Sequence, residues 1–149
     1  MILHLKETKE LQINEERESW VSDPQVKEYV ELRDAGSIDL DEDNSSLTNF
    51  NRYYEIYKND EHVGDIKVFY DSEDDIFKKR AQILMVVGER SQGIGTQALD
   101  LLIEELQDNY DSVYCIIQRT NIASLKILKR NLFDVETLYN YTLCLTRNL

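Results

Sequence analysis

Gln82-Ile83-Leu84-Met85-Val86-Val87-Gly88-Glu89-Arg90-Ser91-Gln92-Gly93-Ile94-Gly95 joins an apolar run to a polar segment that ends in two glycines. An unbroken apolar run this short, rich in β-branched residues, predicts a strand buried on both faces. Beyond the glycines, Ala98, Leu99, Leu102, Ile103 and Leu106 recur at helical spacing and predict a helix of about three turns. A glycine pair at a helix start lets backbone N–H groups face an anion where the helix dipole is positive. Taken alone, it is explained equally well as a structural turn. Gly93-x-Gly95-x-x-Ala98 also fits the looser dinucleotide pattern. Too few residues follow Ala98 for the rest of a doubly wound sheet, however, and Gln118-Arg119 stands where an acidic residue would end the next strand.

Upstream, Tyr53-Tyr54-Glu55-Ile56-Tyr57, the turn-forming Asn59-Asp60 and Val63-Gly64-Asp65-Ile66-Lys67-Val68-Phe69 predict a β-hairpin. Ile2 to Lys6 reads as a first strand and Asn14 to Trp20 as a short charged helix. Asp23-Pro24 supplies the cap and first position of a helix running to Gly36. Asp34 to Asn49 predicts an exposed loop, and Asp71 to Asp75 an acidic break. Downstream, Ser112 to Ile117 reads as a strand, Leu125, Leu128 and Leu132 mark a second helix, and Leu138 to Leu145 a closing strand or pair. One α/β (mixed α+β) domain over residues 1–149, built on a mixed sheet, accounts for this order.

The chain carries 17 Lys and Arg against 29 Asp and Glu, and residues 1–75 hold 21 of the acidic residues. Such a chain repels phosphate, and no basic stripe with interleaved aromatics offsets this, so nucleic acid is not an expected partner. The longest apolar run, Ile83 to Val87, falls far short of the roughly 20 residues that cross a bilayer, so no membrane partner is expected. The first ten residues alternate apolar with charged residues, which is not a secretory pattern, and a cytoplasmic protein is expected. Cys115 and Cys144 lie in apolar runs without a second Cys or His at metal spacing, which predicts core thiols and no metal. The acidity of the first half reads as a solubility feature or as a surface for a cationic partner.

With its surroundings, the opening stretch resembles the GNAT superfamily of N-acetyltransferases, whose acyl-CoA site has an Arg/Gln-x-x-Gly-x-Gly/Ala loop after a buried strand. Arg90-Ser91-Gln92-Gly93-Ile94-Gly95 matches that loop. Asn121-Ile122-Ala123-Ser124 through Leu132-Phe133 resembles the family's Asn-x-x-Ala/Ser helix leading to Gly-Phe. Trp20-Val21-Ser22-Asp23-Pro24-Gln25-Val26 resembles the Trp-x-x-Asp-Pro-x-Val stretch of the branch with ribosomal-protein N-terminal, spermidine and amino-sugar acetyltransferases. Val63-Gly64-Asp65-Ile66 in the hairpin agrees with them. The resemblance implies a mixed, mostly antiparallel sheet of six to seven strands flanked by about four helices. It also implies an acceptor-side half at residues 1–75 and an acyl-CoA half at 76–149, and acetyl-CoA as donor without a metal. Met85, Val86 and Val87 would meet pantetheine where the strands at 82–87 and 112–117 diverge. Arg90, Ser91, Gln92, Gly93, Ile94, Gly95 and Thr96 would hold the pyrophosphate. Asn121 and Ser124 would meet the pantetheine arm, Asn121 being equally a helix N-cap. A homodimer is an expectation of the family alone.

The chain departs from that pattern in three places. Leu128 stands where many relatives have a Tyr that protonates the departing thiolate, Leu132 replaces the Gly before Phe133, and Gln82 replaces a frequent Glu. An amine with a pKa near ~10 must lose a proton before it attacks a thioester. Glu55, Tyr139 and Tyr141 are the strand-borne candidates for taking it, Ser124 is a candidate relay or pantetheine contact, and a water chain would need none of them. Two functions follow. One is an acetyl-CoA-dependent N-acetyltransferase acting on a primary amine of a small molecule or peptide, favoured as cationic by the acidic segment Asp34 to Asp43. The alternative is a catalytically impaired acyl-CoA-binding or protein-interaction module of the same fold.

Overall fold

The computed structural model describes residues 2–12, 14–22, 46–88 and 93–149. The helix expected from Asp23 to Gly36, the acidic loop and Arg90-Ser91-Gln92 therefore lie outside the described residues. Seven strands form one sheet: β1 (Leu3–Thr8), β2 (Arg52–Lys58), β3 (Glu61–Phe69), β4 (Arg80–Val87), β5 (Ser112–Gln118), β6 (Asp134–Leu138) and β7 (Thr142–Asn148). Their order is β1-β2-β3-β4-β5-β7-β6, and every neighbouring pair is antiparallel except β4 and β5. Four helices accompany them among the described residues: α1 (Glu15–Ser22), α2 (Glu73–Lys78), α3 (Ile94–Leu106) and α4 (Ile122–Arg130), with a 3-10 turn at Ser46–Phe50. None is long and apolar enough to cross a membrane.

The expected hairpin is present. Asn59 and Asp60 take φ of 48° and 73°, the left-handed pair that matches the twist of the flanking strands. α3 buries the stripe that its sequence spacing predicts, and Ala98, Leu99, Leu102, Ile103 and Leu106 pack with Ile56, Ile66, Val68 and Ile83 of the sheet. Each fully buried Leu there contributes about 1.5–3 kcal/mol. Both cysteines are buried and free.

Three local expectations are corrected. Asp71 to Asp75 is no break: Ser72 accepts a bond from the Asp75 N–H, and Glu73, Asp74 and Asp75 fill the first turn of α2, where acids oppose the helix dipole. Leu132 does not extend the stripe of α4; it follows the helix at φ 65° with its side chain exposed. The Phe133 N–H reaches back to the Leu128 carbonyl, so the turn keeps a glycine-like geometry without glycine. Tyr139 and Tyr141 are not strand residues but exposed members of the turn between β6 and β7.

Candidate active site

The two central strands part company. β4 and β5 pair only at Arg80 with Ser112, Ala81 with Val113 and Gln82 with Tyr114. Beyond that point neither pairs with the other: β4 stays paired with β3 as far as Val87, and β5 stays paired with β7 as far as Gln118. The result is a wedge open at the end where both strands deliver the chain to a helix. The Gly88 N–H donates to the Val63 carbonyl at 2.7 Å, which sets the phase of the β3–β4 ladder. By the alternation of an antiparallel ladder, Val86 spends its backbone groups on β3, whereas Met85 and Val87 turn theirs into the wedge. Val86 is buried, and Met85 and Val87 are half-buried. A strand edge of this kind accepts an extended chain of amides.

At the mouth of the wedge, the cap position before α3 is Gly93, which has φ 71° and offers no side-chain cap. A non-glycine residue pays about 1–2 kcal/mol in that conformation. The space a Cβ would take is open, so the position is required by backbone conformation and not by crowding. The Gln97 N–H donates to the Gly93 carbonyl, and the N–H groups of Ile94, Gly95 and Thr96, in the first turn, have no acceptor within the helix among the described residues. Ile94 and Gly95 are buried, with Ile127 of α4 packed against Gly95. Across the wedge, buried Asn121 caps α4: its Oδ1 accepts from the Ser124 N–H at 3.0 Å and its Nδ2 donates to Ser124 Oγ at 2.7 Å. The hydroxyl proton of Ser124 is therefore directed away from Asn121. Leu128 is buried in the core and Gln82 is a buried amide, so neither departure supplies a proton.

A polar cluster occupies the part of the sheet next to β4, and sequence reasoning found only Glu55 of it. Arg17 on α1 donates from Nε to Asp65 Oδ2 at 2.8 Å, and from Nη2 to Asp65 Oδ1 at 2.9 Å and Glu55 Oε2 at 2.6 Å. Tyr57 donates to Glu55 Oε1 at 3.1 Å. His62 Nε2 lies 2.9 Å from Asp65 Oδ1 and 3.0 Å from the Gly64 carbonyl. Both of those partners only accept, so Nε2 carries the proton and Nδ1, 4.0 Å from Glu16 Oε1, is the nitrogen that titrates. Glu55, His62 and Asp65 bring their polar atoms within 4.8 Å of one another, and Arg17 supplies the cation among them. Burial pulls the Asp65 carboxyl upward, but the bonds from Arg17 and His62 outweigh it and hold it below its ordinary value. Burial lowers His62, and its bond to Asp65 with the Asp65 charge more than reverses this. The available signal in the sequence was an acidic residue, Asp65, between Gly64 and Ile66 in the middle of a strand; its partner Arg17 sits on a helix that read as charged.

No protein-family model matches the chain, and no curated protein matches it. Solved structures do. The Campylobacter jejuni N-acetyltransferase PseH in complex with acetyl coenzyme A superposes with a TM-score of 0.64 over 99% of this chain and 99% of that one, at 15% identity. The ribosomal-protein alpha-N-acetyltransferase RimL in complex with coenzyme A gives a TM-score of 0.58 at 22% identity, over 66% of this chain and 62% of that one. An aminoglycoside acetyltransferase with coenzyme A and kanamycin gives 0.56 at 16% identity, over 66% of each chain. These neighbours are GNAT acetyltransferases. The parallel β4–β5 pair that opens into a wedge, inside an otherwise antiparallel seven-stranded sheet, is the GNAT acetyltransferase fold, and this chain has that fold.

Proposed function

We propose that this protein is an acetyl-CoA-dependent N-acetyltransferase that moves an acetyl group to a primary amine. The observation that carries the reading is the wedge between β4 and β5, with the backbone groups of Met85 and Val87 turned into it and the uncapped start of α3 at its mouth. In this reading the pantetheine amides pair with Met85 and Val87, while Val86, expected at the same arm, is instead committed to the β3 ladder; Asn121 and Ser124 meet the arm from the end of β5, and the pyrophosphate lies over Arg90 to Thr96. The solved complexes of PseH with acetyl coenzyme A and of RimL with coenzyme A support the donor.

The amine nitrogen attacks the thioester carbon directly: the C–N bond forms, the C–S bond breaks, and the CoA sulfur leaves with a proton while the amine gives one up. Ser124 is the residue suited to hand the sulfur its proton, since Asn121 already occupies its acceptor side. Glu55, which accepts hydrogen bonds from Arg17 and Tyr57, and Tyr139, exposed beyond β6, are the candidates for the amine's proton. The acceptor is a cation, a polyamine, peptide N-terminus or aminoglycoside, drawn by the acidic half at residues 1–75. The aminoglycoside acetyltransferase solved with kanamycin supports that class.

Leu128 and Gln82 favour a second reading, an acyl-CoA-binding module without turnover. Mass spectrometry of an amine panel incubated with acetyl-CoA separates the two. Acetylated product together with free CoA is the expected result, and binding without turnover on every amine leaves only the module.

A further inference from the structure

The one tryptophan of the chain, Trp20 on α1, joins two parts of the molecule that the proposed reaction uses separately. Its ring meets His62 edge-on, with centroids 5.0 Å apart, and it lies so close over Gly88 that a Cβ there would run into the indole. Gly88 is the first residue after β4, the point from which the chain enters the loop that leads to α3. Four residues before Trp20 on the same helix, Glu16 faces His62 Nδ1, and Arg17 is tied to Glu55 and Asp65. Among the described residues, the titratable and charged groups around His62 are thus Glu16 and Arg17 of α1, Glu55 and Tyr57 of β2, and Asp65 of β3, with Tyr57 stacked on its far side against His4 of β1.

We propose that Trp20 and His62 are a positioning pair that couples the docking of α1 to the entry of the acetyl-CoA loop, so that protonation of His62 and binding of acetyl-CoA favour one another. This rests on the donor assignment above. Two physical effects run in the same direction. An imidazolium is held more tightly between Glu16 and Asp65 than a neutral ring, which fixes Trp20 over Gly88 and so fixes the backbone that begins the loop. The anionic phosphates that arrive at the loop in turn favour a positive charge at that end of β3.

Trp20 emission reads the state of its neighbour His62, so the test needs no added probe. A pH titration of wild-type fluorescence is expected to show one step above the ordinary histidine value near ~6.5, absent in His62→Gln. Saturating acetyl-CoA is expected to move that step upward by about 0.5 pH unit. By linkage this equals a rise of about threefold in Kd for acetyl-CoA as pH climbs through the step. By calorimetry, His62→Gln is expected to bind acetyl-CoA with a Kd that is flat across this range. Trp20→Ala is expected to bind about tenfold more weakly, and Trp20→Phe, which keeps a ring over Gly88, to recover most of the loss. A step that does not move when bound acetyl-CoA is verified by calorimetry overturns the coupling, as does His62→Gln with a wild-type pH dependence. A wild-type protein that retains the fluorescence step but gives no heat with acetyl-CoA overturns the functional reading beneath it.

Discussion

His62 Nε2 stands 2.9 Å from Asp65 Oδ1, although residues three apart on a strand ordinarily face opposite sides of a sheet. The register of β3 against β2 shifts at this point: Ile56 pairs with Gly64 and Tyr57 with His62, leaving Val63 as an extra residue. Val63 is spent in the core, and the bulge turns His62 to the face of Asp65 and Glu55. Arg17 then closes the group from α1. The hairpin therefore does more than extend the sheet; it fixes the helix that carries Trp20.

Removing Arg17 tests that fixation. Arg17→Met leaves the Asp65 carboxylate, with a side-chain exposure of 4%, buried without its main partner, and unfolding free energy is expected to fall by about 3–5 kcal/mol at neutral pH. The pH dependence has a definite sign. In the wild type, a depressed Asp65 contributes stability that is present above the ordinary aspartate value and lost as pH falls through its lowered one. In Arg17→Met, protonating Asp65 removes the unpaired charge, so the deficit against wild type shrinks as pH falls through the carboxylate range. Urea denaturation at several pH values measures both.

Leu128→Ala is expected to cost about 2–5 kcal/mol, because the side chain is buried in the core with Phe133 and its removal leaves a cavity. Acetyl-CoA affinity of the folded variant stays near wild type. A surface-like stability change would contradict the core placement.

Leu132→Gly runs the other way. Leu132 holds a left-handed backbone while its side chain is 70% exposed, so glycine relieves the conformational cost and gives up little packing. Stability is expected to rise by about 0.5–1 kcal/mol after the larger unfolded-state entropy of glycine is set against the strain. A urea midpoint that rises with an unchanged slope shows it.

What was legible in the sequence was what short-range chemistry dictates. Asn59-Asp60 between alternating runs announces the hairpin, the spacing of Leu99, Leu102 and Leu106 announces α3, and Gly93 announces a backbone that needs positive φ. The acids at 73–75 were misread because they were counted as charge and not as the dipole-favoured first turn after the Ser72 cap. Leu132 was misread because apolarity alone placed it on a stripe, whereas α4 stops at Arg130. Arg17, His62 and Asp65 were not found because their meeting depends on one bulge and on a helix packing across 48 residues of chain. No local pattern encodes either.

The acidic segment yields a prediction about the acceptor. Asp41→Asn, Glu42→Gln and Asp43→Asn together are expected to raise the acceptor KM at low salt with little change in kcat or acetyl-CoA affinity, because steering acts before chemistry. The difference should vanish at 1 M salt, where the Debye length falls to about 3 Å. Wild-type acceptor kinetics in the triple variant would make the segment a solubility feature.

Calorimetric titration of acetyl-CoA into the wild-type protein and into Gly93→Asp tests whether the start of α3 holds the pyrophosphate. A carboxylate and a Cβ at the start of α3 meet the position assigned to the pyrophosphate, although the space around Gly93 in the structure is open. The wild type is expected to bind, and Gly93→Asp, with an intact fold by circular dichroism, to lose more than about tenfold in affinity, or about 1.4 kcal/mol. Equal affinity in the two folded proteins, or no binding by the wild type, would contradict that assignment.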